Sequence, residues 1–159
     1  MNSQSLPHPD LILDIDARAD LLCIIRHALR AWCRQVGVDA ARADRICLAV
    51  DEGAANIVRH AYRRTRGRIR FAAGHDRSTD PPMLQFTLED DGEQVDLDTI
   101  RPRELDDVRP GGLGIHLIRE VMGEAIWEHL PEGGTRLTMR AVPASTAQDH
   151  REETTHYAW

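Results

Sequence analysis

The sequence predicts an α/β two-layer sandwich, a mixed or antiparallel sheet with helices on one face. Three observations predict it. Elements follow in the order strand, two helices, two strands, loop, helix, two strands. Two long stretches carry apolar residues at helical spacing on one side only. Two pairs of short strands flank polar or Pro/Gly-rich turns. Strand–helix–strand alternation is too sparse for a doubly wound parallel sheet.

The elements are justified in turn. LILDI (11–15) alternates apolar and acidic residues, as a half-buried strand does. From Arg18 to Val36 a helix is expected, with Leu21, Ile24, Ile25, Leu29 and Trp32 on its apolar face and Gly37 ending it. Asp39 suits the N-cap of a second helix, whose apolar set is Ile46, Val50, Gly53, Ile57 and Ala61, reaching about Tyr62. RIRFAA (68–73) and MLQFTLE (83–89) read as strands around a loop with Pro81 and Pro82. Residues 96–110 are highly charged, a weak helix or a loop. GGLGIHLIREVMGE (111–124) is a helix opened by glycines, with Leu113, Leu117 and Val121 on one face. AIWEHL (125–130) and TRLTMRAV (135–142) form a hairpin across PEGG. Without internal repeats or a linker, residues 1–142 read as one domain and 143–159 as a polar tail carrying Tyr157 and Trp159.

Composition narrows the chemistry. The 159 residues hold 20 basic and 26 acidic side chains, a net charge of −6. Every basic residue is arginine. The absence of lysine excludes a Walker A motif, the strand lysine of eukaryotic-type kinases and Schiff-base catalysis. The acidic balance argues against a nucleic-acid coat. Cys23, Cys33 and Cys47 fit neither a zinc ribbon nor a Cys-x-x-Cys pair. Reduced, buried thiols in a cytoplasmic protein are expected. Apolar runs are too short to span a membrane, and the N-terminal residues do not read as a signal peptide.

Four stretches carry chemistry. In DEGAANIVRHAY (51–62), Glu52, Asn56 and His60 recur every four residues and share one helix stripe. An Asn oxygen is a neutral hard ligand for Mg²⁺, and a Glu one turn away can take a proton from an attacking hydroxyl or water. A solvated polar helix face would show the same spacing. In LEDDGEQVD (88–96), a strand runs into Asp90-x-Gly92. A carboxylate there can accept a hydrogen bond from a purine amine, and an ordinary acidic turn reads likewise. Gly111, Gly112 and Gly114 open a helix around Leu113 and Ile115, and backbone N–H groups at such a terminus can close on phosphate. Gly134-Thr135-x-Leu137 is either a fourth motif or simply a turn entering a strand.

Taken in order, Glu52-x-x-x-Asn56-x-x-x-His60-Ala61-Tyr62, Asp90-x-Gly92, GGLGIHLI (111–118) and Gly134-Thr135-x-Leu137 resemble the Bergerat-fold ATPases, from about residue 10 to residue 142. That superfamily includes gyrase, the ninety-kilodalton heat-shock chaperone, sensor histidine kinases and MutL. The NIVRHAY and GGLGIHLIREVM wording is most similar to the stand-alone anti-sigma-factor serine/threonine kinases of the RsbW and SpoIIAB type. The resemblance implies an ATP/ADP site in which Glu52 is the general base and Asn56 holds Mg²⁺. Asp90 would bind the adenine amine with Thr135 near the same edge, and Gly92 would floor the pocket. Gly112 and Gly114 would wrap the phosphates, with Gly111, Leu113 and Ile115 in the same cofactor-binding stretch, residues 97–111 would form the lid, and Arg109 is the candidate γ-phosphate contact. His60 belongs to the family wording as a packing or hydrogen-bonding residue. The sequence departs from the family at Gln94, where a second glycine often stands, and at Gly123, which replaces the usual Asp and suits a helix C-cap.

The activity implied is transfer of phosphoryl from ATP to a Ser or Thr of a STAS-domain anti-sigma antagonist, by a protein that also sequesters a sigma factor. A homodimer without direct nucleic-acid or membrane contact goes with it. The alternative is a nucleotide-dependent partner-switch module with little or no kinase activity. A detached histidine-kinase catalytic domain fits less well, since no helix pair precedes the first strand to carry a phosphoacceptor histidine. The arginine-rich stretch 59–70 is either a solvated face or, through Arg63 and Arg64, a dock for an acidic partner.

Overall fold

A computed structural model describes residues 6, 8–60, 67–78, 80, 82–94, 96–97 and 113–143, the side chains of His60 and Leu113 excepted. The elements are β1 (Leu11–Asp16), a 3-10 turn (Ala19–Leu21), α1 (Leu22–Gln35), α2 (Ala40–His60), β2 (Arg68–Asp76), β3 (Met83–Asp90), α3 (Leu113–Met122), β4 (Glu124–His129) and β5 (Thr135–Ala141). The five strands form one sheet in the order β1-β2-β3-β5-β4. Every neighbouring pair is antiparallel, which resolves the expected choice between mixed and antiparallel.

One face of the sheet carries the core. Ile69, Phe71, Leu84, Phe86, Leu88, Leu137 and Met139 meet Ile25 and Leu29 of α1, Ile46 and Val50 of α2, and Ile118 and Met122 of α3 in a single cluster. The opposite face is charged. Asp14, Arg70, Glu89, Arg136 and Glu128 lie in register across all five strands, alternating in sign. Arg136 donates through Nε to Glu89 at 2.7 Å and through Nη1 to Glu128 at 2.9 Å. Cross-strand pairs of this kind contribute roughly 0.2–1 kcal/mol each, so the layers are held together on the apolar side.

Chain punctuation follows the sequence. Gly37 adopts φ +83°, and the Val38 and Gly37 N–H groups donate to the carbonyls of Cys33 and Arg34, closing α1 with a Schellman arrangement. Asp39 caps α2 by accepting from the Arg42 N–H at 2.9 Å. Gly123 ends α3 at φ +63°.

Two expectations about α1 are corrected. Ile24 was placed on the apolar face but is 42% exposed. Cys23 was expected to be buried but is exposed, while Cys33 and Cys47 are buried. The inward stripe is Leu22, Ile25, Leu29, Trp32 and Cys33. The apolar run LLCII is longer than the stripe is wide, so Cys23 and Ile24 turn outward. Burial pushes the Cys33 thiol up to about 12 and raises the Cys47 thiol as well. Strand β2 runs three residues past the expected Ala73, because Gly74, His75 and Asp76 pair with Gln85, Leu84 and Met83. A Cβ at Gly74 would meet the Leu6 side chain and the Pro9 and Asp10 backbone, so the sequence before β1 crosses there.

Candidate functional site

The C-terminal end of β3 and the start of β5 build the first half of the site. Asp90 and Thr135 are each 6% exposed. Hairpin glycines bring them together. Gly133 and Gly134 adopt φ +104° and +80°, and a Cβ on Gly134 would overlap the Asp90 carbonyl oxygen. Only glycine lets the β4–β5 turn lie against the end of β3. The Gly92 N–H donates to Asp90 Oδ1 at 2.9 Å. Burial pushes the Asp90 carboxyl above the usual carboxylate range, while the N–H groups of Gly92 and Thr135 pull it back. The Thr135 hydroxyl is buried without a hydrogen-bond partner. A desolvated carboxylate beside an orphaned hydroxyl is a donor–acceptor set for a polar ligand edge, because unmet buried polar groups are costly. Gln94 Nε2 donates to the Leu130 carbonyl at 3.3 Å, tying the loop after β3 to the β4–β5 turn.

The second half lies on α2. Glu52 and Asn56 are one turn apart on a half-buried stripe. Arg59 Nη1 donates to Asn56 Oδ1 at 3.0 Å, and Arg59 Nη2 lies 3.9 Å from Glu52 Oε2. The first turn of α3 closes over the carboxylate: a Cβ on Gly114 would lie 2.7 Å from Glu52 Oε2. Gly114 is therefore a contact residue of Glu52 as well as a member of the expected phosphate loop.

Gly53 joins the two halves. A Cβ there would lie 3.0 Å from the Leu88 and Leu137 side chains. Leu88 is two residues before Asp90 and Leu137 two after Thr135. Helix α2 thus seats directly on the two strands whose ends carry the buried pair, one residue from Glu52.

Asp90, Gly92 and Thr135 are brought together, and so are Glu52, Asn56 and Gly114. Ile115 is half-buried on α3. Arg109, Gly111, Gly112, most of the expected lid, Arg63, Arg64 and residues 144–159 of the tail lie outside the described residues, as do the Leu113 and His60 side chains. Sequence reasoning missed Arg59 as part of this set. Its position three residues after Asn56 was the available signal. Among the described residues no group of three or more His, Cys, Asp or Glu could hold a metal, and no helix is long and apolar enough to cross a membrane. An Asn oxygen supplemented by phosphate oxygens and water suits Mg²⁺, which rarely takes an all-protein cage.

The model of the histidine kinase-like ATPase domain matches residues 15–141. The serine-protein kinase RsbW of Bacillus cereus (strain Q1) is 26% identical over 140 residues, covering 82% of this chain and 83% of that protein. RsbW of Bacillus subtilis (strain 168) is 26% identical over 123 residues, with coverages of 70% and 73%. Among solved structures, the RsbU and RsbW domains of Rv1364c from Mycobacterium tuberculosis align at a TM-score of 0.58 and 23% identity, over 84% of this chain and 33% of that one. The SiaB–SiaC complex from Pseudomonas aeruginosa aligns at 0.50 and 18% identity, over 84% and 89%. These two structures share the fold.

Proposed function

Because the chain belongs to the histidine kinase-like ATPase family, we propose that it is an ATP-dependent protein serine/threonine kinase that also switches partners. Its substrate is a STAS-type anti-sigma antagonist, and its second client is a sigma factor that it sequesters. The observation that carries this reading is the Glu52–Asn56 stripe, roofed by Gly114 and seated through Gly53 on the strands of Asp90 and Thr135. The similarity to two proteins named serine-protein kinase RsbW supports the choice of reaction and partners.

In this reading Asp90 accepts the adenine amine, Thr135 fills the same base edge, and Gly92 floors the pocket. Gly111, Gly112, Leu113, Gly114 and Ile115 wrap the phosphates, with Arg109 on the γ-phosphate. Asn56 holds Mg²⁺, which neutralises charge on the triphosphate when bound. Glu52 takes the proton of the substrate hydroxyl as its oxygen bonds the γ-phosphorus and the bridging P–O bond to ADP breaks. Residues 1–142 act as the nucleotide unit, 143–159 as a tail, and the working form is a homodimer in the cytoplasm.

Calorimetric titration with ADP and ATP, with and without Mg²⁺, tests the site. Binding is expected to be lost in Asp90→Ala, and its Mg²⁺ dependence in Asn56→Ala. Absence of binding at millimolar nucleotide would remove the kinase reading. Phosphotransfer to a STAS protein that survives Glu52→Ala would remove Glu52 as base. Partner exchange that survives Glu52→Ala while wild-type transfer is absent would favour the partner-switch module.

A further inference from the structure

We propose that Gln94 is a positioning residue of the base pocket: its side chain, where the family often carries a glycine, clamps the loop after Asp90 to the hairpin that presents Thr135. This deepens the nucleotide-site reading above and rests on it. The loop leaves β3 at Asp90 and is tied along its length. Asp90 Oδ1 accepts from the Gly92 N–H at 2.9 Å, which turns the chain. Asp91 Oδ1 accepts from the Arg68 N–H at 3.0 Å, which pins the near end to β2. Gln94 Nε2 donates to the Leu130 carbonyl at 3.3 Å, which pins the far end to the β4–β5 turn. That turn is itself closed, since the Gly133 N–H donates to the Leu130 carbonyl and the Leu130 N–H to the Gly134 carbonyl, both at 3.1 Å. Leu130 is therefore a fixed anchor, and its carbonyl has two lone pairs to serve both donors. A glycine at 94 would have no side-chain donor and would leave this tie unmade. Asp90 and Thr135 belong to the two pieces that the tie joins, so their spacing is held before any ligand arrives. Binding then does not have to order the loop, and that cost does not count against affinity. Without the tie, only the fraction of molecules with loop and turn together is competent, and apparent affinity drops by that fraction. Gln94 is exposed, so the bond competes with water and its effect is that of one modest hydrogen bond.

The test is calorimetric titration of the full chain with ADP and ATP, each with and without Mg²⁺, for wild type, Gln94→Ala, Gln94→Glu, Gln94→Lys and Asp90→Ala. An ionised Glu has the shape of Gln without the donor, and Lys keeps a donor of similar reach. Gln94→Ala and Gln94→Glu should weaken nucleotide binding about three- to tenfold, the size of one net hydrogen bond. In Gln94→Ala the factor should be the same for ADP and ATP, and the same with and without Mg²⁺, because the change lies at the base end. Gln94→Lys should bind like wild type. Amide hydrogen exchange of the ligand-free chain should quicken over residues 91–94 and 131–135 in Gln94→Ala and stay at wild-type rates in Gln94→Lys. Wild-type affinity in both Gln94→Ala and Gln94→Glu overturns the proposal. So does a Gln94→Lys as weak as Gln94→Ala, since the donor would not be the cause. A loss in Gln94→Ala confined to ATP or to the Mg²⁺-loaded nucleotide also overturns it, by placing the effect at the phosphate end. If wild type binds neither nucleotide, or Asp90→Ala binds them as well as wild type does, the underlying reading fails and the proposal with it.

Discussion

At the Asp90 end of the site both polar side chains are 6% exposed, set on strand ends and locked by a hairpin that tolerates only glycine at 134. At the Glu52 end the Glu52 and Arg59 side chains are 33% and 53% exposed, and they stand on one helix face. The first region stores its specificity as unmet polarity: a carboxyl pushed up by burial and a hydroxyl without a partner. The second stores it as geometry between solvated groups, where a guanidinium spaces a carboxylate and a carboxamide. Changes in the first region should therefore act on stability and binding together. Changes in the second should act on the reaction with little effect on the fold.

Four substitutions probe that contrast. Glu52→Gln should lower phosphoryl transfer by about 10²–10⁴-fold, the usual contribution of a general base, with ADP affinity near wild type. Single-turnover assays beside ADP titration check it, and a parallel loss of binding would break the contrast. Gly134→Ala should destabilise the chain by about 2–5 kcal/mol, since a side chain there is strained by positive φ and overlaps the Asp90 carbonyl. Chemical denaturation measures it, and nucleotide binding should fall in step. Gly114→Ala should split the two properties. Its Cβ meets only the movable end of Glu52, so stability should hold or rise by about 0.5–1 kcal/mol. Displacing the carboxylate should still slow transfer by up to about 10²-fold.

The smallest effect is a pH dependence at Asp90. Burial raises its pKa in the fold, so the folded state binds the proton more tightly than the unfolded chain does. That contribution is present below about pH 4 and is lost as pH rises through the elevated folded value. Nucleotide-free Asp90→Asn should therefore match wild type near pH 3 and become relatively more stable toward pH 7. Thermal melts across that range decide it, and a gap that widens on acidification would contradict the burial argument.

Much of this was legible in the sequence because it rests on local rules. The α2 cap at Asp39, the α1 stop at Gly37 and the PEGG hairpin follow from backbone preferences that need no distant partner. The Glu52–Asn56 stripe follows from helical spacing alone. The exposure of Ile24 and Cys23 was not legible, because composition shows that LLCII is apolar but not which arc of the helix finds the sheet. Arg59 escaped notice because an arginine in a basic stretch looks solvated until its distance to Asn56 is known.

The sequence by itself determined the order of elements, the residue types available for chemistry and the absence of any lysine-based mechanism, since these depend on composition and short-range periodicity. Tertiary structure decided that Asp90 is a desolvated carboxylate, that Gly114 roofs Glu52 and that Gly53 seats the Glu52 helix on the strands of Asp90 and Thr135. Each of these joins residues distant along the chain, and burial or a missing Cβ has meaning only once the other surface is in place.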